Sequence, residues 1–155
     1  MHNTKNEICA IIRKQGKPDM NVNENSSENI ELRKRLAEKI AEVYMSGVDE
    51  FMSDCEPGFS MWGAEEILKL KKKHGEIIFH AIVPCKGQTE KWKEPFRMRN
   101  EQILKQADIV TTLNSQCFRS PAKENYAPNM MSKTCSLLIT EEDDGKVFLQ
   151  QNSVE

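Results

Sequence analysis

A chain of 155 residues has room for one domain with a real core, and not for two comfortable ones. A net charge of −2 and a pI near 6.0 argue against a dedicated nucleic-acid binder, which would carry a strongly basic face. With 38% hydrophobic and 30% charged residues, the chain implies a small core under a well-solvated surface.

Ile8 to Ile12 is a short apolar run and reads as the first strand. The segment from Arg13 to Asn29 is rich in Lys, Asn, Ser, Gly and Pro and has no periodicity, so a long, partly mobile surface loop is expected. Leu32, Leu36, Ile40, Val43 and Tyr44 recur at helical spacing with charged residues between them, which predicts an amphipathic helix ending at Gly47. Val48 to Ser53 reads as a strand, and Ser60 to Lys73 as a helix with Ala64, Ile67 and Leu68 inward and lysines at its negative dipole end. Ile77 to Val83 is almost continuously apolar, the signature of a strand buried on both faces. A helix over Glu94 to Gln106 follows, then a strand over Asp108 to Leu113. A helix is expected around Ala122 to Ser132, broken or restarted by Pro128. Cys135 to Thr140 is the last strand, closed by the acidic turn Glu141 to Gly145.

Strands alternating with helices, joined by connections too long for hairpins, predict right-handed crossovers. The fold class is therefore α/β, a Rossmann-like three-layer arrangement with a largely parallel sheet of about five strands flanked by helices. No internal repeat is present, and residues 1–155 read as a single unit.

Cys9, Cys55, Cys85, Cys117 and Cys135 are odd in number, widely spread and free of any C-x-x-C pair. Neither a disulfide framework nor a zinc site is suggested, and buried free thiols in a reducing cytoplasm are the expectation. No N-terminal leader pattern and no apolar run of membrane length is present, so no membrane association is expected.

The order of motifs resembles the YpsA-like branch of the SLOG superfamily, the Rossmann-like group that includes DprA/Smf and the cytokinin-activating LOG proteins. The residues carrying the resemblance are Leu36 to Phe51, Ser53, Gly58-Phe59 and Trp62-x-Ala64-Glu65. Further along they are Pro84-Cys85-x-x-Gln88 with Trp92, Ile103-Leu104 before Ala107-Asp108, and Ser136 to Ile139. The resemblance implies binding of a nucleotide or nucleotide-derived small molecule at the carboxyl ends of the strands, in a sensor or regulatory role rather than a catalytic one. The ligand-binding residues so implied are Ser53, Gly58, Ser60, Trp62, Glu65, Cys85 and Gln88. No metal site, catalytic residue or bound cofactor is implied.

The chain also departs from the family pattern. Ser53-Asp54-Cys55 stands where Ser-Gly-Gly is usual, and Ile12 to Pro18 replaces Thr-Gly-His-Arg-Pro. The late Gly-Gly-Thr turn is replaced near Phe148-Leu149-Gln150, and residues 141–155 read as a shortened terminal segment. Phosphate approach to backbone needs glycine, and Asp54 and Glu56 would repel phosphate. The plainer alternatives are that Gly58 only makes the turn, Ser60 caps the helix, Trp62 fills the core and Glu65 is a surface acid. Cys85 lacks an evident base for nucleophilic chemistry, since His80 lies inside a strand and His74 at a helix end. The glycine-rich loop of the LOG hydrolases is absent, which leaves a residual nucleotide N-glycosidase as a third option. The second option is a degenerate fold serving as a protein-interaction module, with Phe148 and Leu149 hinting at a homo-oligomer or protein partner.

Overall fold

A computed structural model describes residues 7–14, 20–117 and 125–152. Five strands run parallel: β1 (Ile8–Ile12), β2 (Glu50–Ser53), β3 (Ile78–Val83), β4 (Ile109–Thr112) and β5 (Leu137–Glu141). A sixth, β6 (Val147–Gln151), pairs antiparallel with β5, and the sheet order is β4-β3-β2-β1-β5-β6. The helices are α1 (Ser27–Met45), α2 (Phe59–Lys73), α3 (Glu94–Gln106) and α4 (Ala127–Thr134), with a 3-10 turn at Gln88–Lys91. The α/β, Rossmann-like class expected from the sequence is the observed one.

Strand parity separates two apolar layers. Cys9, Ile11, Phe51, Phe79, Ala81 and Ile139 point to the face covered by α1, α2 and α3. Ala10, Met52, Ile82 and Leu138 point to the other, where Met131 of α4 packs. The first layer holds far more side chains, because three right-handed crossovers in succession lay their helices on one side. The chain then returns past β1 to place β5 on its other flank. That reversal falls at the carboxyl ends of β1 and β5, the position at which open α/β sheets take ligands.

Several boundaries differ from the sequence expectation. Ser26 caps α1, its Oγ accepting from the Asn29 N–H at 3.2 Å, so the helix begins inside the segment expected to be loop. Residues 15–19 of that segment lie outside the described ones, as do residues 122–124 of the expected fourth helix. Pro128 falls in the first turn of α4, where its missing N–H costs nothing, so it starts that helix rather than breaking it. The stretch Phe148-Leu149-Gln150 is part of strand β6, not a ligand turn. Gly145 at φ +80 turns the chain back, with Glu142 N–H bonded to Lys146 O at 2.9 Å. Asp144-Gly145 is a hairpin signal, but β6 is mostly exposed and so lacks apolar alternation.

Among the described residues no helix is long and apolar enough to cross a membrane, and no cluster of three or more His, Cys, Asp or Glu could hold a metal ion.

Candidate functional site

The turn from β2 into α2 is held by its own polar atoms. Ser53, wholly buried at the end of β2, donates its hydroxyl to Ser60 O at 2.8 Å and accepts from the Cys55 N–H at 3.1 Å. Asp54 Oδ1 accepts from the Glu56 N–H at 3.3 Å, and Met61 N–H reaches Glu56 O at 2.9 Å. From α3, the buried Asn100 donates to Cys55 O at 3.4 Å. Cys55 adopts φ +60, a conformation that L residues other than glycine rarely take.

Gly58 precedes α2 with φ +99 and ψ −141, and a Cβ there would meet no atom within 4 Å. Its conformation is what demands glycine; the space around it is open. Among the described residues no side chain caps α2. Ser60 is fully buried in its first turn, and its Oγ has no hydrogen-bond partner among the described residues.

Residues 51–64 are buried throughout, and the rim of this turn is lined by charge. Register places Ala10 beside Met52, so Arg13 leaves β1 next to the turn. Its Nε lies 3.3 Å from Asp54 Oδ2, and its Nη2 lies 2.6 Å from Glu56 Oε2. The second contact is a close ion pair. Burial works against the Arg13 charge, but Asp54 and Glu56 outweigh it and hold its pKa above the ordinary value. Glu56 goes the other way: burial first, then the neighbouring Asp54, push it up to about 8 against the pull of Arg13. One guanidinium therefore serves two carboxyl groups, of which Glu56 holds its proton more readily than a free glutamic acid. Beyond the ends of β1 and β5, Lys14 lies 3.8 Å from Glu141 and 3.5 Å from Asp143. Burial raises the Glu141 pKa, with Lys14 and Arg13 opposing.

The seven residues expected to bind ligand thus divide. Ser53, Gly58 and Ser60 meet at the β2–α2 turn. Cys85 and Gln88 follow the adjacent strand β3, whose register sets Ser53 beside Ala81. Trp62 is 2% exposed within the core, and its indole N–H has no partner among the described residues. Glu65 accepts from Arg99 at 2.9 and 2.7 Å and from Arg33 at 3.2 Å, clamped between α1 and α3. That clamp borders a cavity of about 400 Å³ between α2 and α3, floored by Leu68 and Ile103.

One expectation is overturned. Cys85 is not a free thiol: it forms a disulfide with Cys117, whose Cα lies 5.1 Å away. The parallel pairing of β3 and β4 brings the two exit loops together, a proximity that a 32-residue sequence separation hides. Sequence reasoning also missed Arg13 as the partner of Asp54 and Glu56. The usable signal was chemical: two acids in a buried turn require a cation, and the neighbouring strand ends in one.

A parallel sheet with its order reversed beside β1, and a glycine-initiated helix at the carboxyl rim, define a doubly wound Rossmann-like protein. Within that class, residues 17–153 match the YspA SLOG family, and the chain belongs to it. It is 27% identical over 117 residues to a UPF0398 protein of Halalkalibacterium halodurans, covering 73% of this chain and 60% of that protein. It is 24% identical over 128 residues to a UPF0398 protein of Staphylococcus aureus strain JH9, covering 80% of this chain and 68% of the other. The chain thus spans about 60% of the length of the first of these relatives.

Proposed function

We propose that the chain is a SLOG domain that binds a nucleotide or nucleotide-derived small molecule at the carboxyl rim and acts as a sensor rather than a catalyst. The observation that supports this reading is the start of α2. A helix N-terminus offers unpaired N–H groups and positive potential, and among the described residues no side chain caps this one. Ser60 adds a buried hydroxyl without a partner among the described residues, a costly feature unless something bonds to it.

The test is a thermal-shift screen with mono-, di- and cyclic nucleotides, nucleosides, NAD and ADP-ribose. A ligand at about 100 times its Kd adds about 2.7 kcal/mol to folding, a rise of roughly 5–11 °C for a chain this long. Ser60→Ala should leave the unliganded melting point unchanged or higher and reduce the shift. No shift across the panel at millimolar concentrations refutes the proposal.

A second reading is an interaction module that keeps the fold without a ligand. The burial of residues 51–64 and the filling of the rim by Arg13, Asp54 and Glu56 favour it. The same flat screen would select it.

A further inference from the structure

We propose that Cys85 and Cys117 form a reversible thiol–disulfide site that sets how far the loops leaving β3 and β4 can separate at the rim. Three observations support it, and none concerns the ligand.

The first is accessibility. Cys117 is exposed and Cys85 half-buried, whereas Cys9, Cys55 and Cys135 are buried free thiols. Burial raises the pKa of all three, that of Cys135 to about 12, so they offer neither thiolate nor access. The chain thus separates one reactive pair from three inert sulfurs.

The second is placement. Val83 pairs with Thr112 at the ends of β3 and β4, so both chains leave the sheet side by side. Cys85 comes two residues after β3, and Gly87 at φ +81 then turns the chain into the Gln88 segment. Whatever fixes Cys85 therefore fixes the approach to Gln88.

The third is redundancy. Asn114 joins the same two loops without the disulfide. Its Nδ2 donates to Pro84 O at 2.8 Å and to Asn125 O at 3.1 Å, and its carbonyl accepts from the Lys86 N–H at 3.0 Å. These bonds secure the loops at Pro84, Lys86 and Asn114, so the crosslink is not required to hold β3 against β4. Opening it releases Cys117, beyond Asn114, and so loosens the outer part of the rim while the sheet stays intact.

The chemistry is thiol–disulfide exchange with an external dithiol. Its thiolate attacks the exposed Cys117 Sγ. The Cys85–Cys117 bond breaks, and its electron pair leaves on Cys85 Sγ, which takes a proton from water. The reductant's second thiol, as its thiolate, then attacks the mixed disulfide and frees Cys117, which is protonated in turn. The protein gains two electrons and two protons, and the dithiol becomes a disulfide. An oxidised dithiol reverses each step.

The experiment equilibrates the folded chain in graded mixtures of reduced and oxidised dithiothreitol, then quenches with acid, alkylates and counts labels by mass. Cys85 and Cys117 should become labelled together in one two-electron transition, with circular dichroism unchanged, and Cys9, Cys55 and Cys135 should label only after denaturation. Amide exchange over residues 85–92 and 113–117 should quicken at least about tenfold on reduction while β1 and β2 stay protected. Cys117→Ser should show the reduced exchange pattern and ignore the redox mixture; if it does not fold, the wild-type series alone decides. The proposal is overturned if both cysteines label fully in the most oxidising mixture, if the bond yields only when the fold is lost, or if reduction leaves local exchange unchanged. A chain that binds no nucleotide would still pass or fail this test.

Discussion

Glu56 shares the Arg13 guanidinium with Asp54, and its carboxyl is pushed up to about 8, mainly by burial and then by Asp54. In the unfolded chain the same group titrates near 4.5. The folded state therefore holds the proton more tightly than the unfolded state. For an acid displaced in this direction, the contribution to stability is complete below about 4.5 and is lost as the pH rises through about 8. At about 1.36 kcal/mol per pH unit, that gap sets a ceiling on the order of 5 kcal/mol. Urea unfolding of the wild type and of Glu56→Gln at pH 5, 7 and 9 isolates the effect, because the amide mimics the protonated acid and other titrating groups cancel. The two proteins should be nearly equal at pH 5, and the wild type should fall behind by about 2–5 kcal/mol at pH 9. A difference that does not change with pH would refute the reasoning. So would a wild type that gains on Glu56→Gln as the pH rises, since Glu56 would then be ionised in the fold.

Other perturbations test separate parts of the structure. Opening the Cys85–Cys117 bond releases a 32-residue span, for which chain entropy gives a loss of at most about 3.7 kcal/mol; urea midpoints with and without reductant measure it, and a gain on reduction would contradict the account. Gly63→Ala would place a Cβ 2.8 Å from Ile11 Cγ2, so helix-on-strand packing should lose roughly 1–3 kcal/mol despite the better helix former. Adding Ile11→Ala should make the double variant lose less than the sum of the two, and strict additivity would show that the clash is absent. Glu65→Gln should cost roughly 1–2 kcal/mol in low salt by weakening the bonds from Arg33 and Arg99, and less at 1 M salt; a cost that does not vary with salt would argue for packing instead.

The elements were legible where burial imposes a period. Leu36, Ile40 and Val43 show the face of α1, and the apolar run ending at Val83 shows β3, because Ile77, Phe79, Ala81 and Ile82 meet the core, although Ile78 at its start is exposed. Strand β6 was not legible: five residues paired at one edge, four of them exposed, need no apolar pattern. The alternation of strands and helices along the chain was enough to expect a parallel sheet with a carboxyl rim, and Gly58 was legible as a turn residue. Pairings across the sheet were not. Arg13 with Asp54 spans 41 residues, and Cys85 with Cys117 spans 32, so both depend on which strands are neighbours. Glu65 shows the same limit, because its position on α2 was plain while its partners on α1 and α3 came only from packing.

The β2–α2 turn combines a conformation that favours glycine with acidic side chains. Cys55 at φ +60 bears a strain of roughly 1–2 kcal/mol that glycine would avoid. The turn holds that conformation because Ser53 and Asn100 bond its backbone, at 3.1 and 3.4 Å, and its thiol packs in the core. A conformation that suits glycine is thus occupied by Cys55, and the negative charge that a phosphate would bring is supplied by Asp54 with Glu56 beside it. A phosphate reaching Arg13 would have to displace carboxyl groups already 3.3 and 2.6 Å from its nitrogens. Under the proposed function, a base or sugar held at Gly58 and Ser60 would face no such competition. In the thermal-shift panel, nucleosides should therefore raise the melting point at least as far as their monophosphates. If the phosphorylated member of each pair shifts it consistently further, Arg13 is available to ligand and the internal ion pair is not the occupant of that position.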